Sequence, residues 1–138
     1  MGTNPKPAGE YAVGTTTFTS KEVRDEVMHP GEKRKISARI YYPVTKESVT
    51  GLEKTAYMSR DMFRGIKNEF KLPLNYDKET AAGNNISECY KDAPQIDGEK
   101  FPFIIFNHGY KSFREANSFL CIELASHGYV VMTVGHPL

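Results

Sequence analysis

The sequence predicts a mixed α/β fold, and three observations carry that prediction. Residues 101–106 and 129–134 are apolar runs with little alternation, as in strands buried on both faces of a sheet. Between them, Ala116, Leu120 and Leu124 recur at every fourth position, the period of a helix. Residues 33–42 alternate instead: Ile36, Ala38, Ile40 and Tyr42 share one face, and Lys35, Ser37, Arg39 and Tyr41 the other. That period of two predicts a half-buried strand.

Along the chain, residues 1–14 are rich in Pro and Gly and predict an irregular lead-in. The β-branched run Thr15-Thr16-Thr17-Phe18-Thr19 predicts a first strand. A polar connection over residues 20–31 ends in the turn pair Pro30-Gly31. It leads into the alternating strand, which Pro43 is expected to stop, and the two strands should pair antiparallel. Residues 44–100 read as an insertion. Within it, Met58, Met62, Ile66 and Phe70 stand four apart with Phe63 beside them, predicting a helix over residues 57–70. The insertion could therefore carry a lid helix over residues 55–70. Residues 74–100, with Gly83-Asn84-Asn85, Pro94 and Asp97-Gly98, predict a long surface excursion. Ser112 and Glu115 have capping-box spacing, so a helix is expected from there to about Ser126, closed by Gly128. Strand, helix and strand in this order form a βαβ unit with a right-handed crossover.

At 138 residues the chain is about one domain long, and it reads as a single partial domain over 1–138. Eighteen Lys and Arg against 17 Asp and Glu leave a net charge of +1, which gives no electrostatic reason to expect nucleic acid as a partner. Cys89 and Cys121 are too few for a disulfide scaffold and predict free thiols in a reducing compartment. The opening residues lack an apolar signal-peptide core, and Lys6 stands where a myristoylation site needs Ser or Thr. No apolar run approaches the roughly 20 residues that span a bilayer, so stable membrane insertion is not expected. The expectation is a cytoplasmic protein.

The chemistry centres on Asn107-His108-Gly109-Tyr110, a turn between a parallel strand and a helix. Ligands gather beyond the carboxyl ends of such strands. A glycine there admits positive φ and close approach of a substrate. The Tyr110 N–H is then a donor for a developing oxyanion. An ordinary βα turn is the plainer reading. His108 reads as a turn residue before a general base. Ser126 and His127 are adjacent, so their side chains diverge and form no dyad, and His127 is expected to bond the last helical carbonyls. Cys121 reads as core. No two of His29, His108, His127 and His136 form a short ligand motif, so no metal site is expected. Neither nucleotide-binding glycine fingerprint is present, and no cofactor is expected. The apolar face Met58, Met62, Phe63 and Ile66 is either core packing or a lid lining substrate access, or a lipid-facing surface.

Two stretches carry a family resemblance: Phe101-Pro102-Phe103-Ile104-Ile105-Phe106-Asn107-His108-Gly109-Tyr110 and Leu124-Ala125-Ser126-His127-Gly128-Tyr129-Val130-Val131. Together they resemble the N-terminal half of the α/β-hydrolase core. More narrowly, they resemble the platelet-activating-factor acetylhydrolase-like and dienelactone-hydrolase-like group. Tyr11-Ala12-Val13-Gly14-Thr15-Thr16-Thr17-Phe18 and Arg39-Ile40-Tyr41-Tyr42-Pro43 are similar to that family's opening strands.

The resemblance implies serine ester hydrolysis with the Tyr110 N–H in the oxyanion hole, His108 and Gly109 as the supporting turn, and no cofactor. The sequence departs from the family at the nucleophile. None of its eight serines has glycine two positions before and two after, so the G-x-S-x-G elbow is absent. The expectation is an incomplete α/β-hydrolase: two initial strands, a long insertion and one βαβ unit. Its intact parent would act on a small ester or phospholipid, whereas this chain alone would be inactive. The alternatives are a non-catalytic lipid- or protein-binding module, or one half of a two-chain assembly. A bare sheet edge favours self-association.

Overall fold

The computed structural model describes residues 5–20, 24, 25, 27 and 30–136. The expectations for the extreme N-terminus, His29, much of the 20–31 connection and Pro137-Leu138 lie outside them. A six-stranded mixed sheet organises the rest. Its strands are β1 (Ala12–Thr19), β2 (Ser37–Val44), β3 (Lys54–Ala56), β4 (Ile86–Lys91), β5 (Phe103–Asn107) and β6 (Val130–Gly135), in the order β3-β4-β1-β2-β6-β5. Helices α1 (Arg60–Phe70), α2 (Tyr76–Ala81) and α3 (Ser118–Ser126) connect them.

The antiparallel pair forms in full, from Ala12↔Val44 to Thr19↔Ser37. Pro43 does not stop β2. It pairs with Val13, while β6 pairs only with residues 37–41 of β2. Beside Pro43 one flank of the strand therefore has no ladder, and the missing N–H is tolerated there. Nor is β2 half-buried: Arg39 is 5% exposed and Tyr41 fully buried. The Arg39 guanidinium is admitted because it bonds Thr15 Oγ1 (3.1 Å), the Tyr57 carbonyl (2.8 Å) and the Ala56 carbonyl (3.3 Å).

The stretch expected as a surface excursion instead supplies β4, which runs parallel to β1, and β3 pairs antiparallel at its outer side. The inserted helix forms with Ser59 as its cap, whose Oγ accepts from the Met62 N–H at 3.3 Å. The capping box at Ser112 does not form, and α3 starts at Ser118. Instead, the Ser112 N–H closes a turn on the Gly109 carbonyl, and Glu115 turns inward to Arg114. Gly128 takes φ +96° and closes α3 as expected.

The βαβ unit is present, with β5 and β6 parallel from Phe103↔Val130 to Asn107↔Val134. α3 packs Cys121, Ile122 and Ala125 against Val13, Tyr41, Cys89 and Val131. On the sheet, Tyr42, Val44, Val49 and Ala93 form a second cluster. β5 is not buried on both faces: Ile104 and Phe106 pack inward, whereas Phe103 and Ile105 are 55% and 56% exposed.

Candidate active site

β5 and β6 are parallel neighbours, so the loops beyond Asn107 and Gly135 emerge side by side. That is where open α/β sheets hold ligands. The His108 and His136 rings meet edge to face at 5.2 Å. His136 Nε2 lies 3.3 Å from Asn107 Oδ1, and His108 Nδ1 lies 2.9 Å from the Gly109 carbonyl. Tyr110 follows, 93% exposed. Among the described residues its N–H has no hydrogen-bond partner.

The turn differs from expectation in one respect. Gly109 does not adopt positive φ; Lys111 does, at +58°. A Cβ placed on Gly109 would meet nothing within 4 Å. The space over that backbone is therefore open to an approaching molecule.

The turn forms one side of a cleft of about 690 Å³, whose lining includes His108, Tyr110, Lys111, Arg114 and His136. Across it lie Met62, Gly65, Ile66 and Phe70 of α1. Two of the expected access residues, Met62 and Ile66, thus face the turn. The other two do not: Phe63 is buried against Tyr76, with ring centroids 5.5 Å apart, and Met58 is outside the lining. Lys35, Lys111 and Arg114 bring positive charge to the lining against the single carboxylate of Glu69. Arg114 is anchored by Glu115, Nη2 to Oε1 at 2.6 Å. Glu115 is itself almost fully buried, and among the described residues its Oε2 has no hydrogen-bond partner. A separate cavity of about 520 Å³, between Pro5 and Pro7 of the lead-in and α3, holds none of these turn groups.

The remaining candidate groups are placed elsewhere. Ser126 Oγ accepts from the Gly9 N–H (3.1 Å) and donates to the Glu123 carbonyl (2.7 Å). The His127 ring does not cap the helix carbonyls; it pairs with Glu123 Oε1 at 2.9 Å. The two side chains diverge, as adjacency predicts. Cys121 is buried, and burial pushes its thiol up to about 11, which disfavours the nucleophilic thiolate. Sequence reasoning missed the partnership of His136 with His108. The available signal was that each follows a strand of the βαβ unit, His136 after Gly135 and His108 after Asn107.

The family model for platelet-activating factor acetylhydrolase, isoform II, matches residues 2–137. The platelet-activating factor acetylhydrolase of Gallus gallus is 49% identical over 136 residues, covering 96% of this chain and 30% of the relative. That of Cavia porcellus is 30% identical over 141 residues, covering 97% of this chain and 29% of the relative. A ferulic acid esterase from Streptomyces cinnamoneus superposes with a TM-score of 0.74 at 21% identity, over 96% of this chain and 36% of that one, a likeness of fold alone. The chain thus spans about 30% of the length of these curated relatives. Its sheet is that of an α/β-hydrolase, the match runs through nearly every described residue, and the chain belongs to the isoform II platelet-activating factor acetylhydrolase family.

Proposed function

We propose that this chain is the N-terminal portion of a serine ester hydrolase acting on short acyl esters, including those of phospholipids, and that it supplies one oxyanion donor but not the nucleophile. The single observation behind this reading is the Tyr110 N–H, without a partner among the described residues and set in the cleft beyond the end of β5. A donor with no internal partner needs no rearrangement to meet a carbonyl oxygen as it becomes negative. Gly109 leaves the approach clear, and α1 lends an apolar wall for an acyl chain. His108 holds the turn by donating to the Gly109 carbonyl. The attacking serine, its base and the second donor belong to residues other than those of this chain.

The test is a chimera in which this chain replaces the corresponding segment of the Gallus gallus relative. The chimera should hydrolyse a short-acyl phospholipid ester. Tyr110→Pro, which deletes the N–H, should lower kcat by about 10²–10³-fold, whereas Tyr110→Ala, which keeps it, should not. Equal activity in the two variants would remove Tyr110 from the mechanism.

A second reading, assembly with another chain or with itself, is favoured by the outer edge of β5, which pairs with no further strand among the described residues, and by the exposed Phe103 and Ile105. We also assign the chain to the cytoplasm, a reading supported by the two free buried thiols. Among the described residues no helix is long and apolar enough to cross a membrane.

A further inference from the structure

We propose that His108 and His136 form a binding site for a divalent transition metal of the Zn²⁺ class at the edge of the cleft. Their ring centroids are 5.2 Å apart and the planes are inclined by 65°. With Zn–N bonds of about 2.0–2.1 Å and a tetrahedral angle, two imidazoles on one ion have centroids about 5 Å apart. The rings already stand at that separation.

Their hydrogen bonds select the tautomers that ligation requires. His108 Nδ1 faces the Gly109 carbonyl at 2.9 Å. A carbonyl oxygen only accepts, so Nδ1 carries the proton and Nε2 the lone pair. His136 Nε2 faces Asn107 Oδ1 at 3.3 Å, so its lone pair lies on Nδ1. A ligating histidine is usually oriented in this way, with its other nitrogen donating to an oxygen.

Imidazole suits Zn²⁺, Cu²⁺ and Ni²⁺, whereas Mg²⁺ and Ca²⁺ require oxygen ligands. His108 is half-buried and His136 exposed, so an ion can reach both. Lys35, Lys111 and Arg114 also line the cleft. They leave the remaining coordination positions to water or to an anion rather than to a further cationic side chain. The site does not depend on ester hydrolysis.

The experiment is a calorimetric titration of the 138-residue chain with ZnCl₂ and, separately, MgCl₂. Saturable Zn²⁺ binding without Mg²⁺ binding is expected. His108→Ala and His136→Ala should each weaken Zn²⁺ about tenfold or more, and Asn107→Ala about tenfold through the lost orientation of His136. His127→Ala, which removes the separate pair with Glu123, should change nothing. Circular dichroism checks that each variant is folded, and if His108→Ala is not, the exposed His136→Ala decides. Unchanged affinity in His136→Ala, loss confined to His127→Ala, or equal binding of Mg²⁺ would overturn the proposal.

Discussion

Asn85 and Met58 are joined by two reciprocal hydrogen bonds. The Met58 N–H donates to Asn85 Oδ1 at 2.9 Å, and Asn85 Nδ2 donates to the Met58 carbonyl at 3.2 Å. Asn85 is 2% exposed and precedes β4, while Met58 precedes α1. One side-chain amide therefore fixes where the cleft-lining helix leaves the sheet. Asn85→Ala strands the half-buried Met58 backbone groups and should cost about 1 kcal/mol. Urea unfolding should show a lower midpoint with an unchanged slope.

Gly14 faces the ring of Tyr42, and a Cβ there would stand 2.5 Å from Tyr42 Cε2. The ring has little room to move, because its hydroxyl donates to the Ala93 carbonyl at 2.7 Å. Gly14→Ala should destabilise by about 1–3 kcal/mol through overpacking. Adding Tyr42→Leu should recover part of that loss in the same unfolding assay, a non-additivity expected only of residues in contact.

The Cys121 thiol is raised from 9.0 to about 11 by burial. Folding thus favours its neutral form. The unfolded chain gains by ionising above pH 9 while the folded chain does not, so this stability is present below pH 9 and is lost as pH rises from 9 to about 11. The Cys89 thiol is also raised, chiefly by burial, and adds to the same trend. Thermal melts should therefore fall across that range, and less steeply in Cys121→Ala. The native chain should also resist iodoacetamide at neutral pH and react once unfolded. Rapid alkylation of Cys121 in the folded protein would contradict this.

Phe103 and Ile105 project from the outermost strand of the sheet. A charged residue on an open edge discourages strand pairing. Ile105→Lys should reduce the apparent mass of the chain in multi-angle light scattering relative to the parent, whereas Phe18→Lys, at an exposed site on the interior strand β1, should not.

The parts legible in the sequence were those where backbone period and burial agree. The alternation of residues 33–42 located β2, the spacing of Ala116, Leu120 and Leu124 located α3, and Gly128 marked its end. β4 escaped because its inward residues are Ser87 and Cys89, small and weakly apolar, so Ile86–Lys91 carries no hydrophobic rhythm. Arg39 pointed to solvent by composition, yet carbonyls at Ala56 and Tyr57, distant in sequence, supply its buried partners. Of the candidate site, the turn at residues 107–110 was legible from its place after a strand. The meeting of His108 with His136 follows from parallel pairing, which no local pattern states. The positive φ was expected at Gly109 and occurs at Lys111, where the turn reverses.

The strand order has a kinetic consequence. β2 is flanked by β1, close in sequence, and by β6, where Ile40 meets Met132. During synthesis the β1–β2 hairpin, and then β4 and β3 on the far side of β1, can pair early, but β2 must wait with one flank open until residues near 132 leave the ribosome. Chains whose contacts are so distant fold slowly. The nascent polypeptide is therefore most vulnerable to chaperone capture in the interval before β6 arrives.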